Sequence, residues 1–567
     1  MSTPTPPEPE PGQMTADPGT TPEPGAATAL THRQIVVIIS GLMMGMLLAA
    51  LDLTIVSTSI RTISDDLDGL SIQAWVTTAY LITSTISTPL YGKLSDLYGR
   101  RPFFLTAISL FVVGSAMCGF AQDMYQLAAF RAFQGLGAGG LFSLALAIVG
   151  DIVSPRERAR YQGYFLAVFG SSSVLGPLVG GFFAGADTIL WVSGWRWVFL
   201  INVPIGIVAL TVVARVLHIP HTRREHRIDL AGALALAVML VPLLMVAEQG
   251  REWGWGSGGS IACYVIGVVG FLAFVTAERR IGDDALLPLR LFGNRTFSIG
   301  STLNLIIGMG MFGGLAALPL YLQIVKEHSP TESGLLMLPL TAGMMTGSIV
   351  SGQFISKTGR YKVFPIAGSV LFTLGMFLYA TMKVDTPIVV VGCFALIFGL
   401  GLGFNMQTLV LAMQNSVPPR DMGVATSSAT FFRQMGGTLG TAVFLSVLFG
   451  SVAGNISDRI GEAAADPGSA FSQALKNPSV TSDPANAPIV NLVTKHDAGG
   501  LSIDDSSFIT QLDPALARPV LEGFADSMHL VFLIGASVLV LAFLLSWFLP
   551  EEKLRTQSGL QARAAAE

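Results

Sequence analysis

Apolar segments long enough to cross a bilayer recur along almost the whole chain. A helix rises about 1.5 Å per residue, so roughly 20 apolar residues cover the about 30 Å of hydrocarbon in a membrane. Windows of this kind lie at about residues 35–60, 72–92, 103–121, 124–150, 160–184, 196–216, 229–249, 260–278, 297–323, 332–355, 364–382, 387–412, 424–449 and 527–549. We therefore predict an all-α integral membrane protein with 14 transmembrane helices.

Charged residues are scarce, as expected for a chain that lies mainly in lipid. Of the 567 residues, 51% are hydrophobic and 12% are charged, whereas about 25% is the usual charged fraction of a soluble domain. The net charge of −4 gives little argument for a nucleic-acid partner, and we expect none. The cysteines Cys118, Cys263 and Cys393 each lie in an apolar run, which favours packed hydrophobes over a metal site or disulfides.

Lysine and arginine are concentrated in the predicted loops on one side of the membrane. If the N-terminus lies inside, the internal loops include Arg100, Arg101, Arg156 and Arg158, whereas the external loops carry few such residues, among them Arg196. Short cytoplasmic loops are enriched in Lys and Arg. We therefore expect a multi-pass protein of the plasma (inner) membrane with both termini in the cytoplasm.

Polar segments flank and interrupt this pattern. Residues 1–33 are rich in Pro, Thr and Glu and lack the apolar side chains that offset the entropy of ordering, so they are predicted to be a disordered cytoplasmic tail. Residues 550–567 are a second, short cytoplasmic tail. The segment 451–522 is predicted to be extracellular, and its composition fits either a small, partly helical cap or a mobile loop.

An internal repeat divides the chain into two halves. The segment GKLSDLYGRR, which begins at Gly92, and the segment GQFISKTGRY, which begins at Gly352, share Gly at the first and eighth positions and Arg at the ninth. Parallel repeats of this kind occur in transporters built from two similar bundles. We predict six-helix bundles at 34–217 and 291–549, with residues 218–290 as an inserted pair, helices 7 and 8.

Five segments resemble motifs of the major facilitator superfamily, and more closely its fourteen-helix drug:proton antiporter branch. They occur in the order and at the depths that the family shows. The segments are LDLTIVSTSI (51–60), GKLSDLYGRR (92–101), RAFQGLGAGG (131–140), GSSSVLGPLVGG (170–181) and WRWVFLINVPIG (195–206). The resemblance implies a major facilitator fold and proton-driven export of organic compounds.

Asp52 places a carboxylate about midway along the first predicted helix. Burial in lipid favours its neutral form, so this carboxyl is a candidate proton carrier. Arg131, about 10 Å below the outer membrane edge, would stabilise the ionised carboxylate when close and release it when withdrawn; Gln134 follows one turn later on the same face. The alternatives are an Asp52 that is permanently paired with a cation and an Arg131 that extends to the interface.

A charge cluster is expected at the predicted cytoplasmic face. By the resemblance, this cluster clamps the outward-open state and breaks when the cavity opens inward. Ser356 takes the acidic position in the second half, so the clamp is expected to be asymmetric. Simple anchoring by positive charge is the alternative. The predicted gate consists of Gly92, Asp96, Gly99, Arg100, Arg101 and Asp151.

The fifth predicted helix carries Gly176, Pro177, Gly180 and Gly181 within two turns. Missing side chains let another backbone approach, and proline bends a helix. By the resemblance, this antiporter motif forms a sealed hinge that favours antiport, whereas generic helix packing is the alternative.

Polar side chains in the second half are candidates for a substrate cavity. Amides beside methionine and phenylalanine suit amphipathic organic molecules of varied shape, although many buried amides only bridge helices. The candidates are Asn304, Gln323, Asn405, Gln407, Arg433 and Gln434.

Together these features predict a proton-coupled antiporter that exports drugs, antibiotics or similar compounds by alternating access. The proton is the coupling ion, no cofactor is expected, and the partners are membrane lipids and a small organic substrate of a monomeric chain. We expect no enzyme, because no nucleophile and base pair or nucleotide loop is evident. Export of an endogenous lipid or secondary metabolite is one alternative, and a non-transporting membrane receptor or assembly partner is another.

Overall fold

The computed structural model describes residues 32–67, 73–217, 229–495, 509 and 511–555. Almost all of the predicted N-terminal tail lies outside the described residues. So do residues 556–567 of the C-terminal tail and most of the connection between predicted helices 6 and 7.

The part of the chain before the inserted pair forms a first helical bundle. Between its fifth and sixth helices, the short antiparallel strands β1 (Thr188–Ile189) and β2 (Val192–Ser193) form a hairpin. The helices are α1 (His32–Asp66), α2 (Gln73–Tyr98), α3 (Arg100–Gly119), α4 (Met124–Ile152), α5 (Pro155–Ala184), α6 (Trp197–Leu200) and α7 (Asn202–Val216).

The inserted pair and a second bundle follow. The pair is α8 (Leu230–Trp253) and α9 (Gly258–Ile281). The second bundle comprises α10 (Arg295–Leu320), α11 (Pro330–Leu336), α12 (Leu338–Thr358), α13 (Val363–Ala380), α14 (Ile388–Ser416), α15 (Met422–Ala465), α16 (Ala470–Lys476), α17 (Pro478–Thr481), α18 (Ala487–Lys495) and α19 (Pro514–Ser546).

Twelve helical segments of the described residues are long and apolar enough to cross a membrane. The prediction of 14 such helices is therefore not confirmed, whereas the all-α fold is. The helices α2 and α5, with 26 and 30 residues, fall within the range of lengths of the twelve but are not among them. In α2, frequent serine and threonine lower the apolar character of the sequence.

Glycines in α4 bring the helices of the first bundle close together. A Cβ atom at Gly139 would collide with the carbonyl oxygen of Ser84 in α2, and one at Gly137 would collide with the backbone of Phe111 in α3. Close backbone approach at small residues is typical of helices packed in a membrane. α4 therefore lies between α2 and α3 and holds its polar side chains deep in the bundle.

Two seams join the bundles. α5 packs against α12, and α2 packs against α15. The inserted helix α8 lies against α2 and α15, while α9 packs mainly on α8. The outer side of α9 exposes a row of apolar side chains, as a lipid-facing helix does; these include Ile261, Val265, Val268, Phe271 and Leu272.

The repeated Gly-Arg pair has a backbone explanation. Gly99 follows α2 with φ of 99°, and Gly359 follows α12 with φ of 74°. Glycine is strongly favoured where a helix ends in this left-handed region. Both residues lie in helix connections on the same side of the protein, which we call the Gly99 face.

The segment 451–522 is helical over most of its described length. α15 continues to Ala465, well past the predicted end near residue 449, and α19 begins at Pro514. The two extensions are joined by a hydrogen bond of 2.8 Å between Asn455 and Ser527 and by an ion pair of 2.6 Å between Arg459 and Asp526. Residues 496–508 and 510 lie outside the described part.

The glycines of the antiporter motif differ in their surroundings. A Cβ at Gly176 would collide with the hydroxyl of Thr54 in α1, and one at Gly180 would lie too close to the carbonyl oxygen of Ile55. Ser59 of α1 donates a hydrogen bond of 3.1 Å to the carbonyl of Gly180. Gly181 faces open space. Only two of these glycines therefore hold α5 against α1.

We expect Gly180→Ala and Gly181→Ala to differ in stability. The first substitution overpacks the α1–α5 contact and should destabilise the fold by about 1–3 kcal/mol. The second should be neutral or slightly stabilising, because alanine favours a helix over glycine by about 1 kcal/mol. The measurement is the thermal unfolding midpoint of each purified variant in detergent. An equal loss from both variants would contradict this assignment of the contact face.

Candidate functional site

The carboxylate of Asp52 lies fully buried in the first bundle and accepts hydrogen bonds at both oxygens. The Nη1 atom of Arg131 in α4 lies 2.5 Å from Oδ2. The Nε2 atom of Gln134, one turn further along α4, donates to Oδ1 at 2.9 Å, and the Nδ2 atom of Asn202 in α7 donates to Oδ1 at 3.0 Å. The structure thus brings Asp52, Arg131 and Gln134, the three residues predicted for proton coupling, into direct contact.

Other groups fix the guanidinium of Arg131 in place. Its Nη1 atom also donates to Oε1 of Gln134 at 2.8 Å. Its central carbon lies 4.1 Å from the ring centroid of Tyr80 in α2, within the range of a cation–π contact. Arg131 is completely enclosed, so it does not extend to the interface.

Sequence reasoning missed Asn202. Its Nδ2 atom donates to Asp52 and also to the hydroxyl of Ser115 at 3.0 Å; Ser115 in turn donates to the carbonyl of Phe199 at 2.9 Å. This chain of bonds ties α7 and α3 to the carboxylate. The available signal was the segment WRWVFLINVPIG, in which Asn202 is an amide within a mainly apolar run.

The arrangement stabilises an ionised carboxylate. Asp52 and Arg131 together carry no net charge, and both amides donate to the aspartate. Hydrogen bonds to a charged form favour that form, whereas burial without partners would favour the neutral acid. The carboxylate of Asp52 and the guanidinium of Arg131 therefore compensate each other's charge in this conformation.

A second buried cluster lies at the Gly99 face. Arg100 forms ion pairs of 2.5 Å with Asp96 and 2.7 Å with Asp151, and its Nη1 atom is 2.5 Å from the hydroxyl of Ser95. Each of the three charged side chains is at most 5% exposed. The predicted cluster of Asp96, Arg100 and Asp151 is present, and it links the ends of α2, α3 and α4.

Asp96 also connects the two bundles. Its Oδ1 and Oδ2 atoms accept hydrogen bonds of 3.2 and 3.0 Å from the backbone N–H groups of Gly423 and Val424, in the first turn of α15. The unpaired N–H groups and the dipole at a helix N-terminus favour a negative charge. One turn away, Gly92 lies against Ser427 with no room for a Cβ. The Gly99 face is closed at this seam.

Arg101 is not part of this cluster. Its Nη2 atom donates to the carbonyl of Ala214 in α7 at 2.6 Å, within the first bundle. Neighbouring residues on a helix point about 100° apart, so Arg100 and Arg101 at the start of α3 face different helices. The prediction for Arg101 is corrected accordingly.

Two further contacts were not predicted, one between the bundles and one between the inserted pair's connection and the second bundle. Arg158 in α5 donates to Gln414 in α14. Arg290, in the connection after α9, donates two hydrogen bonds of 2.9 Å to Asp421 before α15. Burial lowers the pKa of Arg290, but hydrogen bonding and electrostatic attraction to Asp421 raise it by a larger amount. The pKa of Arg290 therefore lies above its ordinary value. The same connection accepts a bond from Lys93 in α2.

The substrate candidates do not form one cluster of bonds. Asn304 and Asn405 each donate to the carbonyl four residues earlier, as helix-packing amides do. Gln434 accepts a bond of 3.2 Å from Thr88, which places it at the α2–α15 seam. Gln323 lies half-buried after α10, and the Oε1 atom of Gln407 is buried without a partner. Arg433 lies one residue before Gln434.

We expect Asp96→Ala to open the Gly99 face more often, because α15 loses its acceptor and Arg100 loses a partner. The reporter is Ser427→Cys in a background without the three native cysteines. It should react about tenfold faster with a water-soluble maleimide when Asp96→Ala is also present than when Asp96 is retained, as the loss of one charged hydrogen bond implies. Ser356→Ala, at the repeat-related position of α12, is the control and should leave the rate unchanged. An unchanged rate in Asp96→Ala would show that the seam does not depend on this contact.

Comparisons with known proteins agree with the fold. A family model described as Major Facilitator Superfamily matches residues 42–441. Multidrug transporter protein MdtP of Bacillus subtilis (strain 168) is 33% identical over 526 residues, covering 92% of this chain and 94% of that protein. A tetracycline resistance determinant of Streptomyces rimosus is 36% identical over 343 residues, covering 59% of this chain and 97% of that protein.

A solved structure shares the architecture at low sequence identity. It is that of the proton:xylose symporter XylE bound to 6-bromo-6-deoxy-D-glucose. The likeness has a TM-score of 0.56 at 14% identity and covers 95% of this chain and 100% of that chain. With the family model matched across most of its length, the chain belongs to the major facilitator superfamily of membrane transporters.

Proposed function

We propose that this transporter is a proton-coupled antiporter that exports amphipathic organic compounds by alternating access. The observation that carries the proposal is the buried cluster of Asp52, Arg131, Gln134 and Asn202. Ionisable groups inside a membrane protein are costly to bury and usually serve function. A single carboxylate held by a movable cation is a group that can bind and release a proton.

The proton step follows from the competition for Asp52. While Arg131 is in contact, the carboxylate is ionised and the cluster is neutral. A shift of α4 relative to α1 would withdraw the cation and leave a buried carboxylate, which then takes up a proton. Return of the cation would expel that proton. Loading and release are thereby tied to helix movement, as a coupled transporter requires.

The gate step uses the Gly99 face. We propose that this face is cytoplasmic and that α2 and α5 also cross the membrane, which gives 14 spans. In this conformation the cluster of Asp96, Arg100 and Asp151 keeps the cytoplasmic side shut. The contacts of Asp96 with α15 join side chain to backbone across the bundles, so these two hydrogen bonds must break when the face opens.

The energy available is sufficient for export. A membrane potential supplies about 2.3 kcal/mol per charge per 100 mV, so one proton can drive roughly a fortyfold to fiftyfold gradient of a neutral substrate. Coupling requires that proton and substrate favour different conformations, because equal affinity for both shifts nothing. We propose that the proton is the only coupling ion and that a single chain in the plasma membrane suffices.

The names of the relatives support the substrate class. One is described as a multidrug transporter and another as a tetracycline resistance determinant. We propose that this chain likewise exports drugs or antibiotics. An endogenous lipid or secondary metabolite is a second class that the same proton step could export.

Inside-out membrane vesicles with an imposed pH gradient test the proposal. We expect wild-type protein to concentrate amphipathic fluorescent dyes and Asp52→Asn to lose gradient-driven accumulation at least about tenfold, as the loss of a charged site implies. Downhill dye exchange should persist, because the helices that move are intact. Asp52→Glu keeps the charge and should retain a pH-dependent rate.

The control is Asp65→Asn, since Asp65 is an exposed acid on the same helix. It should accumulate dye as the wild type does. Should Asp52→Asn concentrate dye against its gradient with the wild-type pH profile, Asp52 is not the proton carrier.

Asn202→Leu tests the amide that donates to the carboxylate. Without this donor Asp52 loses one of its two amide partners, so its contact with Arg131 should be less well defined. We expect gradient-driven dye accumulation to fall about tenfold, the equivalent of one charged hydrogen bond. Thr211→Ala, on the exposed side of α7, should accumulate dye as the wild type does. Wild-type accumulation in Asn202→Leu would show that this amide does not support coupling.

A further inference from the structure

Arg433 is a buried cation for which the described residues supply no partner. It lies in α15, 9% exposed, and no described residue forms an ion pair or a side-chain hydrogen bond with it. Arg131 and Arg100 pair with buried acids. Arg158, which is also buried, donates to the side chain of Gln414 and to two backbone carbonyls. Arg433 has neither kind of partner among the described residues.

An unpaired cation at this depth is costly. Arg433 lies 11 residues after the start of α15 at Met422, or about 16 Å along the helix, which is about half of the thickness of the hydrocarbon in a bilayer. A buried charge costs several kcal/mol unless a partner compensates it. Arginine stays protonated in proteins, so Arg433 cannot lower this cost by releasing a proton. It requires an acceptor from elsewhere.

Arg433 belongs to α15, the helix that packs against α2 of the first bundle. The next residue, Gln434, bonds to Thr88 of the first bundle across the α2–α15 seam. On the other side, the backbone of Arg433 lies against Gly308 of α10, with no room there for a Cβ. None of its guanidinium nitrogens is among the fully enclosed, unpartnered atoms, so the group keeps access to a water-sized molecule or ligand.

We propose that Arg433 binds an acidic group of the transported compound. The substrate class is then an amphipathic organic acid or zwitterion that carries a carboxylate or an acidic hydroxyl, which a guanidinium binds through two parallel hydrogen bonds. The inference rests on the proposed export function and narrows its substrates. Asp52 does not attract a cationic substrate in this conformation, because its two oxygens are occupied by Arg131, Gln134 and Asn202.

The matched dyes rhodamine 110 and rhodamine 123 test this inference. They share one ring system, but rhodamine 110 has a free carboxylate where rhodamine 123 has a methyl ester. Fluorescence anisotropy with purified full-length protein gives the Kd of each dye, and inside-out vesicles with a pH gradient give the transport of each. The variants are Arg433→Gln, which removes the charge, and Arg433→Lys, which keeps it. Gel filtration checks that both are folded.

We expect the wild type to prefer rhodamine 110. In Arg433→Gln the preference should fall at least about tenfold, the effect of one charged hydrogen bond. In Arg433→Lys most of the preference should remain. If wild type binds neither dye or prefers rhodamine 123, or if Arg433→Gln weakens both dyes equally, the inference is wrong. An equal shift of the pH profile for both dyes would assign Arg433 to proton coupling and overturn it as well.

The two proposals fail differently. A carboxylate preference that depends on Arg433, combined with no gradient-driven accumulation by wild type, would overturn the proposed antiport and leave this binding site in place. Gradient-driven accumulation of rhodamine 123 without a carboxylate preference would overturn the binding role of Arg433 and leave the proposed antiport in place.

Discussion

The ion pair between Asp52 and Arg131 is the interaction on which the first bundle depends. Each group alone would be an uncompensated charge in a medium of low dielectric constant, and breaking a buried pair costs about 3–5 kcal/mol. The two amide donors and the ring of Tyr80 complete the pair. Helices α1, α2, α4 and α7 must therefore keep their mutual positions for the charges to remain satisfied.

The two bundles use polar groups differently. In the first, the charges neutralise each other within networks of short bonds. In the second, the amides of Asn304 and Asn405 bond to their own helices, and Arg433 has no partner among the described residues. The two proposals accordingly assign energy coupling to the first half and compound binding to the second. Large apolar cores lie within each bundle, and a smaller apolar cluster lies across the α2–α15 seam beside its polar contacts.

Sequence reasoning succeeded where burial of a residue in lipid carries a large free-energy cost. A carboxylate in an apolar run, or acids and arginines at helix ends in lipid, need partners, which is why Asp52, Arg131 and Asp96 were predictable. Neutral amides are common in membrane helices and their burial costs less free energy. The sequence therefore did not mark Asn202 and Gln414 as residues that need a partner. Arg101 was misplaced because adjacency in sequence does not give a shared direction on a helix. The helical extensions of α15 and α19 were missed because only apolar windows were counted as helix.

Enclosure of the coupling cluster has a consequence for leakage. Asp52, Arg131, Gln134 and Asn202 are all inaccessible to solvent in the conformation that is closed at the Gly99 face. Water therefore cannot exchange a proton with the carboxylate until the helices around it move. In the proposed mechanism, the movement that exposes Asp52 is also the one that separates it from Arg131. Asp52 would then be paired while the bundle is closed and solvated only when it opens. Such a carboxylate could bind a proton without forming a continuous path for protons across the membrane.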